Sequence, residues 1–514
     1  MNKARRLTRY ENIEYANQLL AAEEWSQAVV AHARAMLEFP AAGDAFRFGF
    51  ELAQRHDLQQ RQQQPAKVAI ASWELSHNPA GRALALADLY QAAGYQPEII
   101  GFQFARFGQT LWAPMKSIAH PVHAFQVDEA WHADDPAACH SDFLTQAIQL
   151  VSSHPYDVVH LSKPRGPNLL LGLLYRWIWQ ARVICDIDDE ELGFFNKHQP
   201  IDKIDDGIDA WISTHGRLPH LAGLTRKQWT YFAVGCVHQF DAVTVSNPAL
   251  QQRYGGDIIP HTRLASLFAM SPERKAAARE AFGIAEDAKV VLFFGTPRKH
   301  KGLSETVAAL STLNDSRIVY VVVGEFPDAQ DKAELEQQAA DQGVNLQCFG
   351  NQPYSAIADV VAMGDLAVNF QDTQSPVAQF QVPAKLTDAL AAGLVVLASE
   401  TPALADFFAA GALVPVTAEN LSETLRRFLD SQGAETLRRE QCERGLNFFH
   451  QHLATESYVD QLRLCLNAWL PQETQAPVAL RPLPAKLAGL LQQIVDDFAD
   501  ELQAAFCAGQ GDSN

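Results

Sequence analysis

The chain has 514 residues, more than one hydrophobic core normally holds, so two or more domains are expected. Its 41 Lys and Arg stand against 60 Asp and Glu, a formal net charge of −19, which excludes a chain-wide electrostatic grip on nucleic acid or anionic lipid. The 7 cysteines are scattered and include no C-x-x-C, so neither a disulfide framework nor a thiolate zinc site is expected, and a reducing cytoplasm fits.

The N-terminal charges of MNKARRLTRYENIEY are not followed by an apolar stretch, so no secretory signal is expected. No apolar run reaches the roughly 20 residues of a bilayer span. The longest, Leu169–Trp179, is interrupted by Gly172 and Arg176. The expected location is the cytoplasm, with peripheral contact at the inner face of the membrane left open. In residues 1–64, Tyr15, Leu19, Leu20, Trp25, Ala28 and Val29 recur at helical spacing, and Met36, Leu37, Phe46, Phe48 and Leu52 continue the stripe. This block is expected to be a helical extension capping the next domain; a pair of helices like a tetratricopeptide unit is the weaker alternative.

At Lys67 the pattern changes. KVAIASWEL reads as a strand, SHNPAGR as a turn, the following residues to Gly94 as a helix, and QPEIIGFQF as a second strand, a unit that gives a parallel sheet. Tyr156–Ser162, Ala181–Asp189 and Phe240–Ser246 add buried strands to a first domain over 65–264. A second cycle over 265–442 supplies strands at Ala288–Thr296, Arg317–Glu325, Val344–Gly350, Asp365–Phe370, Leu394–Ser399 and Ala412–Val416. The expected fold class is therefore α/β, with two Rossmann-like doubly wound parallel-sheet domains facing a cleft. Residues 443–470 read as a helix returning towards the first domain. Residues 471–514 read as a Pro-containing linker and an amphipathic C-terminal helix, with Leu487, Leu490, Leu491, Ile494, Val495 and Phe498 on one side. That face is left open to pack on the body, to dimerise or to lie on lipid, although the acidic opposite face argues against an anionic membrane. Oligomeric state is not fixed by the sequence.

In open parallel sheets ligands lie beyond the carboxyl ends of the strands, where helix N-termini present free N–H groups. Two stretches of the second cycle have matching chemistry. After Gly295, Arg298, Lys299 and Lys301 leave a strand tip together, a cation set that suits a diphosphate; a solvated basic loop is the plain alternative. In SPVAQFQVPAKLTDAL, a loop runs into a helix at Pro383 and puts Lys385 and Asp388 on its first turns, suited to a phosphate and a ribose diol, or equally to a simple helix cap.

Together these residues resemble the GT-B glycosyltransferases, particularly the retaining nucleotide-sugar enzymes of family 4, over roughly residues 66–470 and most strongly from Lys289 to Ser399. The family's Gly-Arg-x-x-x-x-Lys-Gly stretch is mirrored by Gly295 through Lys301-Gly302, with Thr296 in the Arg position and Arg298 two residues on. Its Val-Gly-Asp/Glu strand end is matched by Val323-Gly324-Glu325, and its turn near the nucleotide base by Phe349 and Gly350. The family's acid pair falls on Phe380 and Asp388. By resemblance Asp388 contacts the ribose, while Phe380 cannot make the sugar contact of the first acid, which leaves backbone amides, Ser375, Gln379 and Gln381 as substitutes. In the first domain, Asn78–Arg82 lies where the family has a Gly-rich loop near donor phosphate and acceptor, which implies donor contacts from Gly81 and Arg82. DVVHLSKPRG resembles the family stretch Asp-Val-x-His-x-His. Ser162 replaces its second His, His160 reads as a buried strand-end histidine, and Lys163 is positioned to steady leaving phosphate or an acidic acceptor.

CDIDDEE invites a second comparison, the Mn²⁺-binding D-x-D of GT-A enzymes. The separate cation cluster of the second sheet favours instead an acceptor-side or structural role for Asp186 and Asp188, which join His77 and Ser162 as acceptor-side candidates, with no metal expected. The resemblance thus implies a glycosyltransferase that uses a nucleoside-diphosphate sugar, UDP or GDP undetermined, and no required cofactor. The acceptor would be a hydroxyl on a glycan, a lipid-linked glycan or a protein. Arg298, Lys301 and Lys163 are the expected catalytic residues, and a catalytically inactive GT-B-like nucleotide-sugar binding protein or interaction scaffold is the alternative.

Overall fold

The computed structural model describes residues 9–195, 207–313, 315–469 and 479–502. Two parallel sheets dominate it. The first contains β1 (Val68–Ser72), β2 (Pro97–Phe104), β3 (Val122–Val127), β6 (Val158–Ser162), β7 (Arg182–Ile187), β8 (Ala242–Val245) and β9 (Asp257–Ile258), in the order β3-β2-β1-β6-β7-β8-β9. A separate small hairpin pairs β4 (Glu129–Ala130) with β5 (His140–Ser141). The second sheet contains β10 (Lys289–Phe294), β11 (Ile318–Val323), β12 (Leu346–Phe349), β13 (Leu366–Asn369), β14 (Val395–Ala398) and β15 (Val414–Pro415), in the order β12-β11-β10-β13-β14-β15. Both orders reverse direction beside the first strand of each cycle, so each sheet has a crevice at the tips of β1 and β6 or of β10 and β13.

The apolar runs form strands because both faces of each sheet are covered. Along β10, Val290, Leu292 and Phe294 face one layer with Leu386 and Leu390, while Val291 and Phe293 face the other with Leu303, Leu310 and Leu425. β1 divides in the same way, Ala69 and Ala71 on one side and Val68 and Ile70 on the other. The expected strand ends instead form the loops of the crevices. The sequence reading missed the edge strands β3 and β9; β3 is half-exposed over most of its length, so VHAFQV carries no unbroken apolar run.

The N-terminal block is three helices, Arg9–Ala21, Trp25–Glu38 and Gly43–Arg61, not a pair, and it packs on the first lobe. There Gln54 Nε2 donates to the carbonyls of Trp177 and Ile178 at 2.7 and 2.8 Å, and Phe50 lies 5.4 Å from the Trp177 ring. The single helix expected over 443–470 is corrected to two. Ala434–His452 stays on the second lobe through Phe448 and Phe449, the chain breaks at Leu453-Ala454, and Thr455–Trp469 crosses to the first lobe through Leu462, Cys465 and Leu466. Two crossings run side by side there: the Arg263 N–H donates to Leu453 O at 3.1 Å and the Thr455 N–H to Arg263 O at 2.9 Å.

The C-terminal helix Ala485–Asp497 uses its apolar face on the body: Leu487, Leu490, Ile494, Val495 and Phe498 are buried in the first-lobe core. Asp497 accepts the Leu218 N–H at 2.8 Å, and Arg481 pairs with Asp241. Of the readings left open for that face, packing on the body is the observed one. Among the described residues no helix is long and apolar enough to cross a membrane. The N-terminal charges at 1–8, part of the linker at 471–478, and residues 503–514 with Cys507 lie outside the described residues.

Candidate functional site

The crevice of the second sheet is shaped by close backbone approach. Gly324 follows β11 with φ +147°, and a side chain there would collide with the Gly295 carbonyl, so the tips of β10 and β11 touch only because residue 324 is glycine. Gly302 (φ +72°) ends the cation loop and sits against Phe370 with no room for a Cβ.

The expected trio of cations separates. Lys299 is exposed and turns away to Asp331 and Glu334, at 3.3 and 2.9 Å. Arg298 is exposed at the crevice rim. The Lys301 amine is enclosed and donates to the Thr296 carbonyl at 2.9 Å; burial, with the nearby Arg298 charge, pushes its pKa down to about 8. Lys385, on the first turn of the helix Ala384–Ala391, places its amine 4.3 Å from the Phe293 ring centroid. Burial and then repulsion from Lys301 hold it well below the ordinary lysine value. Among the described residues neither amine pairs with a carboxylate. Two enclosed, mutually repelling amines are poorly solvated as cations, and an anion with several oxygens reverses that.

Pro383 caps that same helix. Asp388, further along it, is buried and is not free for the ribose contact that the resemblance implied: its Oδ1 accepts at 2.5 Å from Nε of Arg263, on the segment that joins the lobes. Burial lifts the Asp388 pKa and Arg263 offsets part of that rise, while Arg263 itself is raised by its partner. Glu325 is exposed, with its N–H donating to Asn351 Oδ1 at 3.1 Å; Phe349 meets Phe282 edge-on at 5.0 Å, and Gly350 is exposed beside Glu325.

In the first lobe the charges are matched internally. Arg82 and Asp186, expected at donor and acceptor, hold each other: Nε and Nη2 each donate to one carboxylate oxygen at 2.8 Å, and the guanidinium also donates to Ile259 O and Pro260 O at 2.6 and 2.9 Å. Asp186 has no exposed surface and also accepts from Thr244 Oγ1 at 2.8 Å, so the expectation that it faces an acceptor is corrected to an internal contact. His160 completes this buried network between Tyr90 and Thr244, at 3.1 and 2.9 Å, and burial pushes it down to about 4. Ser162 is buried, its hydroxyl without a partner among the described residues, and does not reach the surface where an acceptor would lie.

Lys163 adopts φ +76° at the end of β6, and its amine lies 2.7 Å from Asp188, 2.7 Å from Asp189 and 3.2 Å from Glu191. Those three acids have the mutual spacing of a metal cage, but the ammonium stands among them as the counter-cation. Asp188, buried and beside other acids, is pushed up to about 7 despite Lys163, and its other oxygen lies 3.7 Å from His261 Nε2. His77 stacks on Phe107 at 4.3 Å, and its Nδ1 has no partner among the described residues; burial and the Arg106, Arg165 and Lys163 charges push it down to about 4. A Cβ on Gly81 would meet Trp112 at an ordinary 3.6 Å, so the close backbone approach expected there is not built into the fold.

The two crevices touch. Gln381 Nε2 donates to Asp189 Oδ1 at 2.6 Å, and Asn247 Nδ2 donates to the Phe380 carbonyl at 2.8 Å. Ser375 begins the short helix Pro376–Phe380, and the Gln379 side-chain amide folds back onto Thr373 O. Of the residues that meet at this seam, Asn247, Arg253, His261 and Arg263 were not singled out individually from the sequence. Asn247-Pro248 directly after the β8 run, an N-cap followed by Pro at a strand tip, was the signal available for the first.

Comparison with known proteins agrees with this layout. The structure is similar to that of Anabaena Alr3699/HepE in complex with UDP-glucose, with a TM-score of 0.56 at 16% identity, covering 79% of this chain and 100% of that one. It is also similar to sucrose-phosphate synthase from Thermosynechococcus elongatus, with a TM-score of 0.54 at 14% identity, covering 79% and 99%. The chain has the GT-B fold. Residues 274–445, the second lobe, match the family model described as glycosyl transferases group 1. In the same direction, the chain is 30% identical over 179 residues to the putative colanic acid biosynthesis glycosyl transferase WcaI of Escherichia coli K12. That alignment covers 33% of this chain and 43% of WcaI, less than half the length of this relative.

Proposed function

We propose that the protein is a glycosyltransferase that moves a sugar from a nucleoside diphosphate to an acceptor hydroxyl, with retention and in the manner of family 4. The observation that carries this reading is the pair Lys301 and Lys385, enclosed at the tip of β10 without a carboxylate partner among the described residues, inside the segment that matches glycosyl transferases group 1. A donor diphosphate supplies the missing negative charge. As the glycosyl bond breaks, charge grows on the leaving phosphate, and Lys301, Lys385, Arg298 and the N–H groups at the start of the helix Ala384–Ala391 are placed to stabilise it. The UDP and UDP-glucose bound by the Anabaena neighbour make those the first ligands to try. Lys163, drawn into the acid cluster, acts in this reading by fixing the first-lobe wall of the cleft.

Calorimetric titration of UDP into wild type and Lys301→Ala tests the site. Charge-assisted hydrogen bonds contribute about 1.5–3 kcal/mol each, so the variant is expected to bind UDP at least tenfold more weakly. Equal affinity rejects the site. Failure of the wild type to turn over any sugar nucleotide while binding it favours the inactive GT-B-like binding protein, a reading that the apolar Phe380 and buried Ser162 support.

A further inference from the structure

The segment Pro376–Gln381 belongs to the second lobe, where it packs on the turn Pro402–Leu404, but it is held from the first lobe as well. Asn247, just past the tip of β8, has an amide with two separate duties. Its Oδ1 accepts the Leu250 N–H at 3.1 Å and caps the helix Pro248–Tyr254, while its Nδ2 crosses the cleft to the Phe380 carbonyl at 2.8 Å and also reaches Ser246 Oγ at 3.1 Å. From that capped helix, Arg253 places its guanidinium 5.5 Å from the Phe380 ring centroid, and the ring packs against the first-lobe core. Gln381 donates to Asp189 at 2.6 Å, and Val377 lies so close to Gly193 that a Cβ there would come within 3.0 Å of it.

A five-residue helix does not hold itself, because its nucleation cost exceeds what so few internal bonds return. Contacts from outside must order this one: the turn Pro402–Leu404 of the second lobe packs on it, and the side-chain hydrogen bonds from Asn247 and to Asp189 tie it to the first. We infer that Asn247 is a positioning residue for donor binding: from the first lobe it fixes the backbone of Pro376–Gln381, the wall against which the glycosyl group of a sugar nucleotide lies. The inference rests on reading the second lobe as the donor lobe. It also accounts for an apolar residue at position 380, whose ring is committed to the first lobe while its carbonyl takes the bond that fixes the wall.

The two duties separate by substitution. Asn247→Asp keeps a good N-cap for Pro248–Tyr254 but has no N–H for the Phe380 carbonyl and sets a carboxylate against it, whereas Asn247→Ala loses both. In Asn247→Asp, hydrogen exchange of the amides of residues 377–382 is expected to accelerate about fivefold, the loss of one hydrogen bond, while residues 249–254 keep their wild-type rates. Asn247→Ala is expected to accelerate both. The dissociation constant for UDP-glucose, or for the sugar nucleotide that a panel selects in its place, is expected to rise about fivefold in Asn247→Asp, with bare UDP unchanged. Unaltered exchange in 377–382, or an equal loss for UDP and its sugar, overturns the inference. If the wild type binds no nucleotide, the proposed function falls, the role in donor binding falls with it, and exchange alone decides whether Asn247 orders the segment.

Discussion

Raising the pH from 7 to 9 is expected to weaken UDP binding about tenfold through Lys301 alone. In the free protein its amine has a pKa of about 8, lowered by burial and by Arg298. A bound diphosphate favours the ammonium and returns the value towards the ordinary figure of about 10.4. The bound form therefore stays protonated across this range while the free form loses its proton, so binding takes up a proton and affinity falls as pH rises through 8. At pH 9 about a tenth of the free protein carries the ammonium, against about nine-tenths at pH 7, which gives the factor of ten. Lys385, also held well below the ordinary value, adds proton uptake. Folding responds in the opposite sense. A lysine whose folded value is lowered penalises the native state while charged, and that penalty shrinks as pH rises from about 8 towards 10.4. The assay is calorimetry in two buffers of different ionisation enthalpy at pH 7, 8 and 9, with Lys301→Arg as the variant that cannot lose its proton. A dissociation constant that is flat from pH 7 to 9, with no buffer dependence of the enthalpy, refutes the picture of an enclosed amine awaiting an anion.

Two further outcomes follow from the first lobe. Arg82→Met leaves the fully buried Asp186 carboxylate without its guanidinium, and removing one partner of such a pair costs about 3–5 kcal/mol. Denaturant unfolding is expected to show that loss, and a change under 1 kcal/mol would mean that the pair is incidental. Chelator is expected to leave turnover unchanged and added Mn²⁺ to bring no gain, because the Lys163 ammonium already stands among Asp188, Asp189 and Glu191; loss of activity in chelator that Mn²⁺ restores would show that a metal displaces the lysine.

Much of the fold was legible because parallel strands buried on both faces must be written as nearly continuous apolar runs, and β1, β6, β10 and β11 are such runs. β3 was not, because an edge strand covered on one side needs no such run. Lys301 and Lys385 were legible from their place after a strand tip and at a helix start. Arg82 and Asp186 were misread for a physical reason: a basic residue beside a glycine and acids at a strand end look the same whether they meet a ligand or each other, and 104 residues separate the two in sequence. The same ambiguity hid Lys163, whose neighbours in sequence do not reveal that the acids of the next strand close around it.

The contrast between the lobes carries more than either site alone. At the seam the first lobe answers most of its cations with acids of its own, Arg82 with Asp186, Lys163 with Asp188 and Asp189, Arg165 with Glu191 and the half-buried Arg253 with Glu190, while Arg263 on the crossing takes Asp388 of the second lobe. The second lobe leaves Lys301 and Lys385 unanswered among the described residues, in a chain whose net charge of −19 supplies carboxylates in abundance. A fold with acids to spare that omits them at one crevice keeps a cationic pocket at the cost of stability. An anion that sought the first lobe would have to compete with carboxylates already in place, whereas one entering the second meets two amines that, among the described residues, no carboxylate holds. Under the proposed function the diphosphate therefore belongs on the side of β10, and the sugar it would carry is directed to the seam where Asn247 and Gln381 join the lobes.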